Sequence, residues 1–351
     1  MVKGVHNALS LVLALSRAFG AFVLRAQGRT YVFSYKLISY FIVLAMGTIA
    51  EGIIEASNLQ SECSFSLLLI VDIFVFCFYL ITAIIVLYQH YRLREPLPAI
   101  ISELEDMEDH IGDVSYGRYY SYGVIFLSIL NALPRIFAVL RRSFAWNYLL
   151  TRILYYSFTQ IPLLIAAQYA MFLHILSRQL YTLSEQLNTA IFNLEVWRLI
   201  DIHHNLVLLA DRINRAFDLF LIHMVTFIFV INILRLYFLI VYIVNPVSYT
   251  DLELTIISFV DILINCGSLI IIVSAAMEAT KKAELFNKQL LKSLLISKTI
   301  AQDEKIRTYL GMKHSIQQSA CNFFSLDYHL LTSMAAGTTT YVILLVQFTL
   351  L

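Results

Sequence analysis

Five ionisable side chains interrupt stretches that are otherwise apolar: Asp72, Arg135, Arg152, Arg235 and Asp261. A charge held away from water is costly unless it is paired, so each marks either a functional site or a structural ion pair. Uncharged polar residues accompany them. Asn131, Gln160, Asn232 and Asn265 bring amides that both donate and accept, and Tyr155, Tyr156 and Tyr237 bring aromatic faces with a hydroxyl. Such a set can pair within itself or converge on a polar small molecule. Both readings stand, because a pocket wall can contain ion pairs. Nothing in it suggests catalysis. The chain has no HExxH, GxSxG, GxGxxG or GxxxxGK[ST] pattern and no pair of acids at a catalytic spacing. His203 and His204 have no Cys or acidic companions at metal-ligand spacing and read as packed or solvent-facing rings. Cys63, Cys77, Cys266 and Cys321 form no metal-like cluster, and three of them lie in apolar runs, where a buried free thiol is expected. No enzyme activity, cofactor or metal site is therefore expected.

The elements that carry these residues follow from composition. Of 351 residues, 59% are hydrophobic and 14% charged, against about half and a quarter in soluble domains. With a mean hydropathy of +0.74, the chain reads as an all-α polytopic membrane protein. Its net charge of +1 gives no field for nucleic acid. A helix needs about 20 mostly apolar residues to cross a bilayer. Seven stretches qualify: Tyr35–Ala56, Ser64–Tyr88, Tyr119–Leu140, Asn147–Leu176 (interrupted by Arg152 and Pro162), Phe217–Val244, Leu254–Met277 and Tyr328–Leu351. Val5–Leu24 carries Arg17 at its middle and Arg25 and Arg29 nearby, and reads as an interfacial helix within a cytoplasmic segment 1–34. No small-residue cleavage site marks a removable signal.

Orientation comes from Lys and Arg in the connections. With the N-terminus inside, the inner segments hold nineteen of them, eight between Lys281 and Lys313, while the outer loops hold only Arg141 and Arg142. The N-terminus is thus expected in the cytoplasm and, after seven spans, the C-terminus outside the cell. A G-protein-coupled receptor has the opposite parity, and the chain lacks both a DRY-like triplet after its third span and an NPxxY in its last. This orientation places all five ionisable residues in the outer half of the membrane, where a ligand pocket among spans two to six could open outward.

Two inner connections carry a helical stripe. Leu180, Leu183, Leu187, Ile191 and Leu194, then Leu206, Leu209 and Ile213, recur every three or four residues, as do Leu285, Leu291, Leu294 and Leu295. The chain accordingly divides into spans one to four (35–176), an inner helical extension (177–216), spans five and six (217–277), inner anchor helices (278–327) and the last span (328–351). The two extensions are expected to pack into a cytosolic anchor bundle, a natural place for subunits to assemble.

The last span reads TYVILLVQF from Thr340 to Phe348: Thr-Tyr, five apolar residues, then Gln-Phe. This resembles the signature that closes insect gustatory receptors, matched without a substitution. The stretch before it, SACNFFSLDYHLLTSMAAGTTTY, is also similar to that family's penultimate segment. The resemblance is sharp over about the last 30 residues and elsewhere rests on architecture. It implies a tastant-gated, non-selective cation channel related to insect odorant receptors, in the plasma membrane of chemosensory neurons. Four subunits, as a homotetramer or with other gustatory receptors, would surround a pore lined by the last helix. Small-molecule tastants and permeating cations would be its partners, with the lipid bilayer around it. Carried over by position, Gln347 and Phe348 would form the outer gate, with Leu344 on the same face, and Thr340 and Tyr341 would hold the helix against its neighbours. A lone amide in lipid costs roughly a few kcal/mol, whereas a ring of amides around a wet axis has water and neighbours. The chain is short for the family's sugar receptors, which favours a bitter compound or other contact chemical. A transporter or a non-channel seven-helix receptor is the alternative, although no inverted repeat is visible.

Overall fold

A computed structural model describes residues 4–22, 24–27, 30–62, 67–112, 114–117, 119–141, 153–154, 157–189, 193–244, 249–296, 302–312 and 316–350. Ten helices are found among them: α1 (Gly4–Ala18), α2 (Tyr35–Glu62), α3 (Leu67–Arg92), α4 (Pro96–Ile111), α5 (Tyr119–Arg141), α6 (Ile161–Thr189), α7 (Asn193–Val244), α8 (Tyr249–Ile296), α9 (Glu304–Gly311) and α10 (Tyr328–Leu350). Four are long and apolar enough to cross a membrane, at Ser157–Thr189, Leu194–Val241, Thr255–Leu295 and Tyr328–Phe348. Apolar stretches on α2 (Tyr35–Ala50) and α5 (Tyr120–Pro134), together with α3, complete the seven expected spans. Pro162 falls in the first turn of α6, where its missing N–H breaks no helical bond.

Length separates membrane from bundle. α7 has 52 residues and α8 has 48, or about 78 and 72 Å at 1.5 Å per residue, against a hydrocarbon layer of about 30 Å. Both helices must therefore project well beyond the bilayer, and with α6 they make the centre of the molecule. α6 is buried almost all round, with Leu164, Tyr169, Phe172, Leu176 and Leu180 each 0% exposed. It packs most extensively on α8, whose Ala275, Ala276, Ala279 and Ala283 are all nearly inaccessible and admit close approach. This shifts the buried stripe of α8 away from the expected leucines. Ala279, Ala283, Phe286 and Leu290 form it; of the expected leucines, Leu285 and Leu294 are half-buried, with Leu294 packed on the core, while Leu291 and Leu295 are 53% and 81% exposed. On the facing helices Leu180, Leu183, Leu187, Leu206, Leu209 and Ile213 are buried as their spacing requires, Leu194 is exposed, and Ile191 lies outside the described residues. His203 is packed flat on Phe286, ring centroids 4.1 Å apart, and reaches the Tyr309 hydroxyl at 2.5 Å, and burial pushes that phenol's pKa up.

The inner end holds elements that hydropathy does not mark. α4 is a short amphipathic helix with Leu97, Ile100, Ile101 and Leu104 buried. Its Glu108 carboxylate accepts from the backbone N–H groups of Gly4 and Val5, both at 3.1 Å, capping α1 at the end where a helix dipole favours an anion. α1 packs on α6 and α4 through Val5, Leu9, Val12 and Leu13. The only strands among the described residues make two small antiparallel hairpins, β1 (Leu24–Gln27) with β2 (Thr30–Phe33) and β3 (Ser319–Ala320) with β4 (Phe324–Ser325). The second hairpin turns through Cys321 and Asn322, both left-handed at φ 51° and 60°, the conformation a tight primed turn demands. Cys77 and Cys266 are exposed on their helices rather than buried, because an apolar run in a membrane helix need not face the protein interior. Cys63 lies outside the described residues.

Candidate functional site

Two features bear on function: a polar cavity among the middle helices, and one face of α10.

The cavity draws on five parts of the chain. α3 contributes Tyr79, α5 Asn131, the start of α6 Pro162 and Leu163 with Thr159 just before it, α7 Met224, Phe227 and Ile231, and α8 Asp261, Ile264, Asn265 and Ser268. It is smaller than a formed ligand site. Its enclosed part is ≈ 30 Å³, room for about two waters, so a larger guest must move side chains or sit toward the mouth. Two hydrogen-bonded pairs set its polarity. Arg235 pairs with Asp261 at 3.2 Å, with side chains only 17% and 9% exposed, so the carboxylate is neutralised from behind. Asn265 donates to the Asn232 carbonyl at 3.1 Å, and Asn232 in turn reaches Cys266 Sγ at 3.6 Å. The walls therefore offer amides, hydroxyls and one balanced ion pair, set among aromatic and aliphatic side chains.

Of the residues singled out from sequence, Asn131, Asp261 and Asn265 line this cavity, and Arg235 and Asn232 stand directly behind it. Gln160 is buried in the turn ahead of α6, next to the lining Thr159. Tyr237 is elsewhere: it packs with Phe238 against Val346 of α10. Asp72 on α3 and Arg135 on α5 have side chains outside the described residues, as do Arg152, Tyr155 and Tyr156 entirely. Sequence reasoning missed Ser268, which the helical period would have found, since Asp261, Ile264, Asn265 and Ser268 follow one face of α8 at i, i+3, i+4 and i+7. It also missed Tyr79, Met224 and Phe227, which no pattern distinguishes from neighbouring apolar residues.

α10 shows two unlike faces. Leu330, Thr338 and Val342 are buried and Met334 and Val346 partly so, at four-residue intervals, against α7 and α8. Gly337 lies so close to α7 that a Cβ there would meet Phe229 at 3.1 Å, and Tyr341 sets its ring edge-on to Phe229 at 6.0 Å. The other face carries Thr340, Leu344, Gln347 and Phe348, all exposed, with Phe348 at 84%. Only 22% of this apolar span is buried in the protomer, against 94% for α6. The Thr340 hydroxyl donates back to the Ala336 carbonyl at 3.0 Å, so it adds no unpaired donor.

The inner root of α10 is firmly held. Asp327 caps it by accepting from Leu330 N–H at 3.1 Å, while its other oxygen accepts from the Ser325 hydroxyl at 2.7 Å. The Ser325 bond, with the backbone N–H groups, holds the Asp327 carboxyl below the usual carboxylate range. Deeper in, the Tyr169 hydroxyl on α6 lies 3.2 Å from Asn214 Oδ1 on α7 and 3.0 Å from Gln318 Oε1 just before β3. Asn214 Oδ1 also accepts from Ser319 N–H. One buried phenol thus links the central helices to the segment leading into α10.

A profile of the 7tm Chemosensory receptor family matches residues 9–351. Among solved structures the chain is similar to the insect olfactory receptor OR5 from Machilis hrabei, with a TM-score of 0.62 at 11% identity over 98% of both chains. It is likewise similar to that receptor in complex with eugenol, with a TM-score of 0.56 and the same identity and coverage. No curated protein matches it by sequence.

Proposed function

The chain belongs to the 7tm chemosensory receptor family, and on that premise we propose that it is a gustatory receptor acting as a tastant-gated, non-selective cation channel. The observation that carries this reading is the outward face of α10. An apolar helix that presents Leu344, Gln347 and Phe348 away from its own protomer needs something to face. Four copies around a wet axis satisfy the amide, and the apolar pair beside it can close the path by dewetting. Thr340 and Tyr341 lie nearer the root, where Tyr341 meets α7. The cavity among α3, α5, α6, α7 and α8 is the ligand site on this reading, with Asn131, Asp261 and Asn265 in its wall. The eugenol complex of the similar olfactory receptor supports small-molecule binding by this architecture. A bitter or other contact chemical is favoured over sugar, and assembly is as a homotetramer or with other gustatory receptors in the plasma membrane of chemosensory neurons.

Whole-cell recording from cells expressing the chain, alone and with a second receptor of the family, tests the proposal over a panel of tastants. Ligand-evoked, reversible cation current is expected. Ligand uptake without current would favour a transporter, and a second-messenger response without direct current would favour a non-channel receptor.

A further inference from the structure

A second cavity lies near the C-terminal end of α3, against the turn that follows α1, and shares no residue with the first. Its polar lining is Gln89 and His90 on α3 and Gln168 on α6. Each of these donates to a backbone carbonyl: Gln89 Nε2 to Ala216 at 2.5 Å, His90 Nε2 to Gly20 at 3.2 Å and Gln168 Nε2 to Ala21 at 2.9 Å. A carbonyl can only accept, so these bonds fix which atom of each side chain is the donor. They leave oxygens on the two amides and, in the neutral ring, the Nδ1 lone pair of His90 as acceptors. Gln89 Oε1 is buried with no hydrogen-bond partner among the described residues, on a side chain 1% exposed. Buried acceptors in native folds nearly always have a donor. The remaining walls, among them Phe22, Leu93, Leu97 and Ile165, are apolar, and no carboxylate lines the cavity among the described residues. The Arg17 guanidinium stands 5.7 Å over the Phe22 ring, which disfavours a cation. The cavity is ≈ 10 Å³, about the size of one donor oxygen, so a short carbon chain must displace side chains toward the mouth.

We propose that this inner cavity is a hydroxyl-donor site, in which an O–H donates to Gln89 Oε1. Water supplies that group, or a small neutral alcohol does so with its carbon chain against Phe22 and Leu97.

High-resolution maps of the purified full-length protein, with and without 2-bromoethanol, test it, and bromoethane serves as the control that lacks a donor. An atom within about 3.2 Å of Gln89 Oε1 is expected. A lone oxygen that persists in 2-bromoethanol assigns the donor to water, and bromine density beside Phe22 or Leu97 assigns it to the alcohol. Either result upholds the site. If alcohol binds, Gln89→Leu, or Gln89→Met should the first variant fail to fold, weakens it about fivefold to tenfold. No donor atom near Gln89 in either map, bromoethane binding as well as 2-bromoethanol, or site occupancy unchanged in the variant overturns the proposal.

Discussion

Breaking the Arg235–Asp261 pair from one side should be more damaging than removing it whole. At 3.2 Å two unit charges attract by about 5 kcal/mol at an effective dielectric of 20, and the cost of desolvating both groups offsets most of that. Arg235→Gln or Asp261→Asn alone takes this ionic partner from a charge on a side chain 9–17% exposed. Stranding a buried charge costs roughly 3–5 kcal/mol, and the polar cavity beside this pair reduces the cost to about 2 kcal/mol. The double variant strands nothing, and about 1 kcal/mol is expected. At roughly 2 °C per kcal/mol for a chain of this size, each single variant should melt about 4 °C lower and the double about 2 °C lower. Thermal ramps read by fluorescence-detected size exclusion measure all four proteins. Additive losses of about 8 °C in the double, or no loss in either single, would refute the view that these groups compensate each other. Because Asp261 also lines the cavity, Asp261→Asn should shift the tastant dose–response while surface expression persists, and unchanged curves would remove Asp261 from the ligand site.

Other elements make equally definite predictions. Gly337→Val should push α10 off α7, since even a Cβ meets Phe229 at 3.1 Å, and altered channel opening at normal ligand potency would register it. Asp327→Ala removes the cap on α10 at a cost of about 1 kcal/mol. Because the Asp327 carboxyl is held low, its contribution is fully present above the ordinary aspartate value of about 3.9 and is lost as pH falls through the folded value, so the melting difference from wild type should be constant from neutral pH down to about 5 and shrink below about 4. Tyr169→Phe leaves the Asn214 and Gln318 oxygens without their shared donor, and a loss of about 1–3 kcal/mol with faster hydrogen exchange at Ser319 and Leu326 is expected. Unchanged exchange there would mean the phenol does not hold the root of α10.

The spans were legible because a bilayer imposes a length and an apolar content that few other constraints mimic. Tyr35, Tyr119 and Tyr328 begin helices at the residues where hydropathy begins them. α4 was not legible: its charged face and its prolines, Pro96 and Pro98, leave no apolar run of the length that a bilayer selects. The hairpin at Cys321 and Asn322 is set by local backbone handedness, which a single sequence with one Asn does not announce. In the cavity, costly residues were visible and cheap ones were not. Asp261, Asn265 and Asn131 stand out in apolar runs, whereas Met224 and Phe227 acquire meaning only when helix packing chooses their side. The same choice decides α8, where leucines at helical spacing do not alone mark the packed stripe. Alanines face the close approach of α6, Phe286 stacks on His203 and Leu294 packs partly on the core, while Leu291 and Leu295 are left outward.

Gln347 is where the account is most exposed to test. In cells expressing Gln347→Cys in the full chain, a membrane-impermeant thiol reagent applied outside should modify the channel faster when tastant is present and should then block or reduce the evoked current. The exposed native thiols Cys77 and Cys266 are controlled by the unmutated receptor. Evoked current that is identical before and after the reagent, with labelling of residue 347 verified, would contradict the placement of this face of α10 at the pore.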